Sequence, residues 1–110
     1  MAILTDRQSV PANTTVQNVL SGKLNEFLSE NSIVSLYACA SAVGLNVSLI
    51  IAQEVVVDDQ EINAQNRMPL VPDDFVGNGG GFQGDRVILR LRNTTAGAIV
   101  AFTRVETNPA

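Results

Sequence analysis

The sequence contains no histidine, no tryptophan and only one cysteine among its 110 residues. Without histidine, the chain cannot build a serine–histidine or cysteine–histidine nucleophile pair or an imidazole metal ligand. A single cysteine excludes an internal disulfide bond and a zinc cluster of thiolates. No apolar run is long enough to cross a bilayer, and the first residues lack the pattern of a secretory signal. We therefore expect a protein that is not an enzyme, uses no cofactor or metal, and binds no membrane.

Charge is also scarce, because only 16% of the residues are charged, against about 25% in an average soluble domain. The net charge of −4 disfavours binding to a phosphate backbone, and five aromatic residues offer no row for base stacking, so no nucleic-acid partner is expected. Lys23 is the only lysine, although β proteins commonly protect their exposed edges with lysine. The lack of lysine predicts that neighbouring molecules in an assembly cover the strand edges. The alternative is a monomer whose strand edges are neutral and polar.

The chain is rich in β-branched residues, with 14 Val, 7 Ile and 7 Thr, which suit half-buried strands. Strict alternation of apolar and polar residues predicts four clear strands, which we group as two hairpins. The first hairpin joins 33–41 to 45–51, and the second joins 86–92 to 98–106 across Asn93–Gly97.

Weaker patterns complete the prediction. Segments 14–20 and 54–57 have strand character, 23–28 favours a strand over a helical turn, and the glycine-rich stretch 77–81 indicates a flexible loop. Seven or eight short strands predict an all-β fold, a single jelly-roll-like β-sandwich with an extended N-terminal arm. The predicted division is an arm over 1–13, a β-sandwich domain over 14–106 and a tail over 107–110. An immunoglobulin-like sandwich is less favoured, because the chain lacks a cysteine pair and a core tryptophan.

No motif indicates catalysis. The loop carboxylates, such as Asp58 and Asp73, are more typical of turns than of a calcium site. A glycosidase would need an aromatic cleft that this short chain has little material to build. The segment 65–75 carries Pro69 and Pro72, which favour an extended backbone, and it predicts an ordered crossover between sheets or an interface segment.

Basic residues recur along the predicted strand 86–92. Arg86, Arg90 and Arg92, with Arg104 on the next strand, could bind an acidic partner surface. Pairing with carboxylates of the same sheet explains the row equally well. We predict contacts to a protein partner at residues of the arm and of this row: Ile3, Leu4, Arg7, Arg86, Arg90, Arg92 and Arg104.

Several short motifs resemble those of a known group of proteins. They are Gln65-Asn66-Arg67, Pro69, Pro72-Asp73-Asp74, Gly84-Asp85-Arg86, Arg92-Asn93-Thr94-Thr95 and Gly97. Together they make residues 14–106 similar to the small structural proteins of bacteriophages, single β-domains that act as capsid cement or head decoration. The resemblance implies a non-enzymatic role and no active-site residues. The N-terminal segment departs from a cup-shaped decoration trimer.

The leading hypothesis is therefore a virion protein on the capsid surface, which binds the major capsid protein and copies of itself and stabilises a phage head. A dimer or a trimer is expected. One alternative is a jelly-roll subunit that forms the shell itself. Another is a carbohydrate- or receptor-binding module of a tail or spike, which the scarcity of aromatic residues disfavours.

Overall fold

The computed structural model describes residues 2–23, 26–71 and 73–109. The strands are β1 (Ala2–Val10), β2 (Thr15–Val16), β3 (Ser32–Ala40), β4 (Leu45–Ile51), β5 (Glu54–Glu61), β6 (Phe75–Gly81), β7 (Val87–Asn93) and β8 (Ile99–Pro109). They form two four-stranded antiparallel sheets: sheet A, in the order β1-β8-β3-β6, and sheet B, in the order β2-β7-β4-β5. The predicted all-β sandwich is confirmed.

The strand pairing has the symmetry of a jelly roll. The first strand pairs with the eighth, the second with the seventh, the third with the sixth and the fourth with the fifth. This is the pattern of one long antiparallel ribbon rolled into two sheets, and the pairs β8–β3 and β7–β4 complete it. Only the β4–β5 connection stays within one sheet.

Alternation places the core between the sheets. On β4 and β7, every second residue from Leu45 and from Val87 faces inward and is almost fully buried, while the residues between them face outward. The largest side chains with less than 2% exposure are Leu20, Leu36, Leu45, Leu49, Leu89, Leu91 and Ile99. Both sheets contribute to this single apolar layer.

Both predicted hairpins are wrong. The strands of the first pair, β3 and β4, lie in different sheets, and so do the strands of the second pair, β7 and β8. Residues 41–44 and 94–98 are therefore crossings over the end of the sandwich. Alternation decides which face of a strand is buried, but either sheet can bury that face, so the pattern does not identify the hydrogen-bonding neighbour.

The N-terminal segment is a strand of the sandwich where a free arm was expected. Residues 2–10 pair with β8 in an unbroken register, from Ala2 opposite Thr107 to Val10 opposite Ile99. Val10 is fully buried. The predicted tail is likewise part of β8 up to Pro109, and residues 1 and 110 lie outside the described ranges.

The glycine-rich stretch predicted as a flexible loop is strand β6, paired with β3. Its glycines allow the two sheets to approach closely. A Cβ atom on Gly77 would lie 2.6 Å from Val57 Cγ2, and one on Gly79 would lie 2.8 Å from Val56 Cγ2. Larger residues at these inward positions would push β6 away from sheet B.

The remaining weak predictions are only partly right. In the segment 14–20 only β2 is a strand, and the chain then follows the edge of β7 through separate bonds, such as Val19 N–H to Leu89 O at 2.8 Å. No strand covers 23–28 in its described part; Phe27 forms one bridge to Arg86, and residues 24 and 25 lie outside the described ranges. Strand β5 runs four residues past its predicted end.

Candidate interaction surfaces

The β5–β6 connection, residues 62–74, crosses from sheet B to sheet A, as the sequence predicts for 65–75. Asp74, only 4% exposed, holds this loop in place. Its carboxylate accepts a 2.7 Å hydrogen bond from the Leu70 backbone N–H and forms an ion pair with Arg67. Its backbone carbonyl accepts a hydrogen bond from the Ala38 N–H of β3. The loop is therefore an ordered part of the fold.

The loop also sets the chemistry of the only cysteine. Burial alone would raise the pKa of Asp74, but the hydrogen bonds from Leu70 and Arg67 outweigh it and keep that pKa below its usual value. Cys39, fully buried on the outer side of β3, lies beside both charged groups. Burial, followed by the nearby Asp74 carboxylate, raises the pKa of the Cys39 thiol to about 11. At neutral pH the thiol is protonated and is a poor nucleophile.

The same loop exposes apolar side chains, and a neighbouring connection at this end of the sandwich exposes one more. Met68, Leu70 and Val71 are 39%, 50% and 51% exposed, and Val43 of the β3–β4 connection is 67% exposed. The β1–β2, β3–β4, β5–β6 and β7–β8 connections all lie at this end of the sandwich, which we call the loop end. Its exposed apolar side chains stand on a backbone that internal hydrogen bonds already fix.

The opposite end of the sandwich exposes two aromatic rings. Phe27 is 56% exposed and Phe82 is 73% exposed. The two segments that carry them are joined, because Gly84 N–H donates to Leu28 O at 2.8 Å. The molecule therefore presents exposed apolar side chains at both ends of the sandwich.

The predicted arginine row is not one surface. Arg104 lies on sheet A, whereas Arg90 and Arg92 lie on sheet B. Three of the four arginines form ion pairs within the molecule: Arg86 with Glu26, Arg92 with Asp59, and Arg104 with Glu106. The four arginines therefore do not share one surface, and pairing with carboxylates, the alternative interpretation, accounts for three of the side chains. Their contact with a protein partner stays a prediction.

Hydrogen bonds lower the pKa values of two of these carboxyl groups. The side-chain hydrogen bond from Arg92 lowers the pKa of Asp59. A backbone hydrogen bond from Gly22, assisted by Arg86, lowers the pKa of Glu26. Arg90 differs from its neighbours, because it forms none of the ion pairs found among the described residues and its buried Nε has no hydrogen-bond partner there.

The three N-terminal candidates face different ways. Ile3, 46% exposed, and Arg7 point to the outer face of sheet A, and the Arg7 guanidinium lies 5.6 Å from the centre of the Phe102 ring. Leu4 is partly buried and packs against the core. Ile3 and Arg7 therefore remain candidates for partner contact, and Leu4 is withdrawn because its side chain already serves the fold.

The described residues offer little for small-molecule chemistry. A hollow of about 340 Å³ at the loop end is lined by Asn13, Thr15, Arg92, Asn93 and Thr94. Its arginine already pairs with Asp59. Within residues 2–23, 26–71 and 73–109, no group of three or more cysteine or acidic side chains could hold a metal ion, and no helix could span a membrane.

The sequence reasoning missed Val43, Phe27 and Phe82. One signal was available for Val43, since a valine in a short turn between two strands has no core to enter. Comparison of the chain with protein-family models, with curated proteins and with solved structures finds no match. The fold and these surfaces are therefore the basis for any functional proposal.

Proposed function

We propose that this chain is a non-enzymatic structural protein of a virion, a cement protein that binds the capsid surface through its loop end. The observation that carries the proposal is the exposed set Met68, Leu70 and Val71 on a loop that Asp74 fixes from within, with Val43 of the β3–β4 connection exposed at the same end of the sandwich. Exposed apolar side chains grouped in one region mark protein-interaction sites, whereas singly scattered ones are normal on monomers.

Rigidity strengthens the proposal. A flexible loop would lose conformational entropy on binding, whereas a loop already held by hydrogen bonds loses little. The acidic, lysine-poor composition adds support, because the exposed surface carries few charges that a partner would have to desolvate. The jelly roll is also used by viral capsid proteins, although fold alone does not specify a function.

The test is binding of the purified chain to empty capsids of the virus that encodes it, measured by co-sedimentation. We expect the wild-type chain to sediment with the capsids and Leu70→Asp to remain in solution, because a charge on the exposed loop opposes burial. Val55→Asp, on the exposed part of β5, is the matched control and should still bind. A wild-type chain that ignores capsids, or equal binding by both variants, would refute the proposal.

A second candidate is a shell-forming coat subunit. The observation that favours it is the complete eight-strand roll, with pairs one to eight through four to five. Electron microscopy of the chain expressed alone distinguishes the two roles. Closed particles would identify a coat subunit, whereas a cement protein should form no closed shell by itself.

A further inference from the structure

The two edges of sheet A are unpaired, and they differ from the edges of sheet B. β1 is nine residues long and keeps one register throughout, and β6 contains no charged residue and no proline. In the described structure neither strand has a partner on its outer side. Such edges offer a row of free backbone N–H and C=O groups to another strand.

We propose that β6 of one copy pairs with β1 of a second copy, so that sheet A continues from one subunit into the next. The strand directions permit this. The four strands of sheet A alternate in direction, so β1 and β6 run antiparallel to each other. A second copy in the same orientation therefore presents β1 antiparallel to β6, and repetition generates a ring or an open filament.

The two pairings of like strands are less favourable. Full overlap of β1 with its own copy places Asp6 directly opposite Asp6 of the partner subunit. Each Asp6 is paired with its own Lys23 at 3.0 Å, which weakens the repulsion, but this overlap brings no opposite charges of the two β1 strands together. Full overlap of β6 with its own copy sets glycines opposite glycines, which have no side chains to pack. In the mixed pairing, the larger side chains of β1 lie beside the glycines of β6.

The register of sheet A shows which side chains would meet. Three outward rows run from β1 toward β6: Ile3–Glu106–Ser35–Asn78, Thr5–Arg104–Tyr37–Phe75 and Arg7–Phe102–Cys39. Beyond Cys39, the third row reaches the residues before β6, because Asp74 contacts β3 there. Continuing the rows without a stagger places the next copy's Ile3 beside Asn78 and brings its Arg7 to the turn at residues 73–74, where Asp73 is exposed.

Charge and apolar exposure both fit this placement. Neither Arg7 nor Asp73 takes part in the ion pairs of the described residues, and Asp73 is exposed. The interface would supply each with a partner of opposite sign. Ile3 and Ile33, 46% and 44% exposed, would lie on the same face near Gly80, which adds no side chain between them.

The first experiment measures the mass of the full-length chain over a range of concentrations by sedimentation velocity, with folding checked by circular dichroism. We expect concentration-dependent association of the wild type and its loss in Asn78→Lys, because lysine blocks edge pairing. Gln60→Lys, on the exposed edge strand of sheet B, is the matched control and should associate like the wild type. A wild type that stays monomeric, or equal association of the two variants, would overturn the proposal.

A charge exchange tests the register. Arg7→Asp and Asp73→Arg should each weaken association, and the double variant should restore it, because the two charges attract again in reversed positions. The Arg7→Asp and Asp73→Arg variants also test the β6–β1 interface if Asn78→Lys fails to fold. Failure of the double variant to recover association would refute the Arg7–Asp73 contact. The inference is independent of capsid binding, since a chain that binds capsids as a monomer would keep the proposed function and lose this interface.

Discussion

Sheet A and sheet B share one core but end in different kinds of edge strand. On sheet B, β2 has only two residues, and β5 carries exposed acidic side chains and shifts register twice against β4. On sheet A, β1 is long and regular, and β6 is uncharged. Short strands, charges and irregular register are the usual protections against edge pairing, and sheet B combines all three. Sheet A has fewer of them: Asp6 and Arg7 on β1, with Lys23 paired to Asp6, and one register shift between β3 and β6.

This difference refines what the low lysine content predicts. The whole chain is poor in charge, yet β5 alone carries four of its 11 acidic residues, Glu54, Asp58, Asp59 and Glu61. The described part of the loop 62–74 also reaches the outer side of sheet A, where Arg67 lies beside Cys39. Both sheets carry arginines on their outer faces, Arg7 and Arg104 on sheet A and Arg90 and Arg92 on sheet B. The comparison teaches that protection is local, and that composition alone does not locate it.

The largest expected effect tests whether the inner faces of the two sheets contribute equally to the free energy of unfolding. Leu36 of β3 and Leu89 of β7 are both fully buried on central strands. Each change to alanine should reduce the free energy of unfolding by about 2–5 kcal/mol, because it removes apolar contacts and leaves a cavity. Urea denaturation measures both variants. A much smaller loss for one of them would show that the sheets contribute unequally to the core.

The next effect concerns the close approach of β6 to sheet B. Gly79→Ala places a Cβ 2.8 Å from Val56 Cγ2 and 3.2 Å from Ile51 Cδ1, so we expect a loss of about 1–3 kcal/mol from overpacking. Gly80→Ala, with open space around the new atom, is the control and should cause no loss. Thermal unfolding compares them, and equal stability would contradict the steric role of Gly79.

A third prediction concerns the ion pair that fixes the loop on sheet A. Asp74→Asn should cost about 1–3 kcal/mol, because a buried carboxylate accepts a backbone and a guanidinium hydrogen bond. The pKa of Asp74 is lowered in the folded state, so its contribution is present above the unfolded value of 3.8 and is lost as pH falls through the folded pKa.

The pH dependence supplies the check on this prediction. The stability difference between the wild type and Asp74→Asn, measured by urea denaturation, should be constant near neutral pH and narrow below about pH 4. A difference that does not change with acidification would mean that the charge of Asp74 contributes nothing to the fold.

The smallest effect is expected on sheet B. Asp59 and Arg92 form an ion pair with side chains 40% and 43% exposed, so Asp59→Asn should leave the unfolding midpoint unchanged within error. The Asp74 and Asp59 variants would then differ clearly in stability. The Asp74–Arg67 ion pair fixes a loop, whereas the Asp59–Arg92 ion pair only adds charge to the edge of sheet B. A clear loss of stability, measured in the same urea titration, would reverse that assignment.

Much of the fold was predictable from local patterns. The alternation in 33–41, 45–51 and 86–92 located three strands correctly, and the prolines around 65–75 indicated an ordered crossover. The arginine row was misread, because Arg104 follows Arg92 closely along the chain but lies on the other sheet. The exposed residues Phe27 and Phe82 escaped notice, since their exposure depends on where two distant loops meet.

Local alternation was enough to predict a β-sandwich and the buried face of each main strand, because a period of two residues is visible without knowledge of the neighbouring strand. The choice of paired strands, the place of residues 2–10 in the sheet and the strand formed by the glycine-rich stretch 77–81 were not predictable in this way. Those outcomes depend on contacts between residues far apart in the chain. The local alternation is compatible with several strand pairings, and the packing of one sheet against the other selects among them.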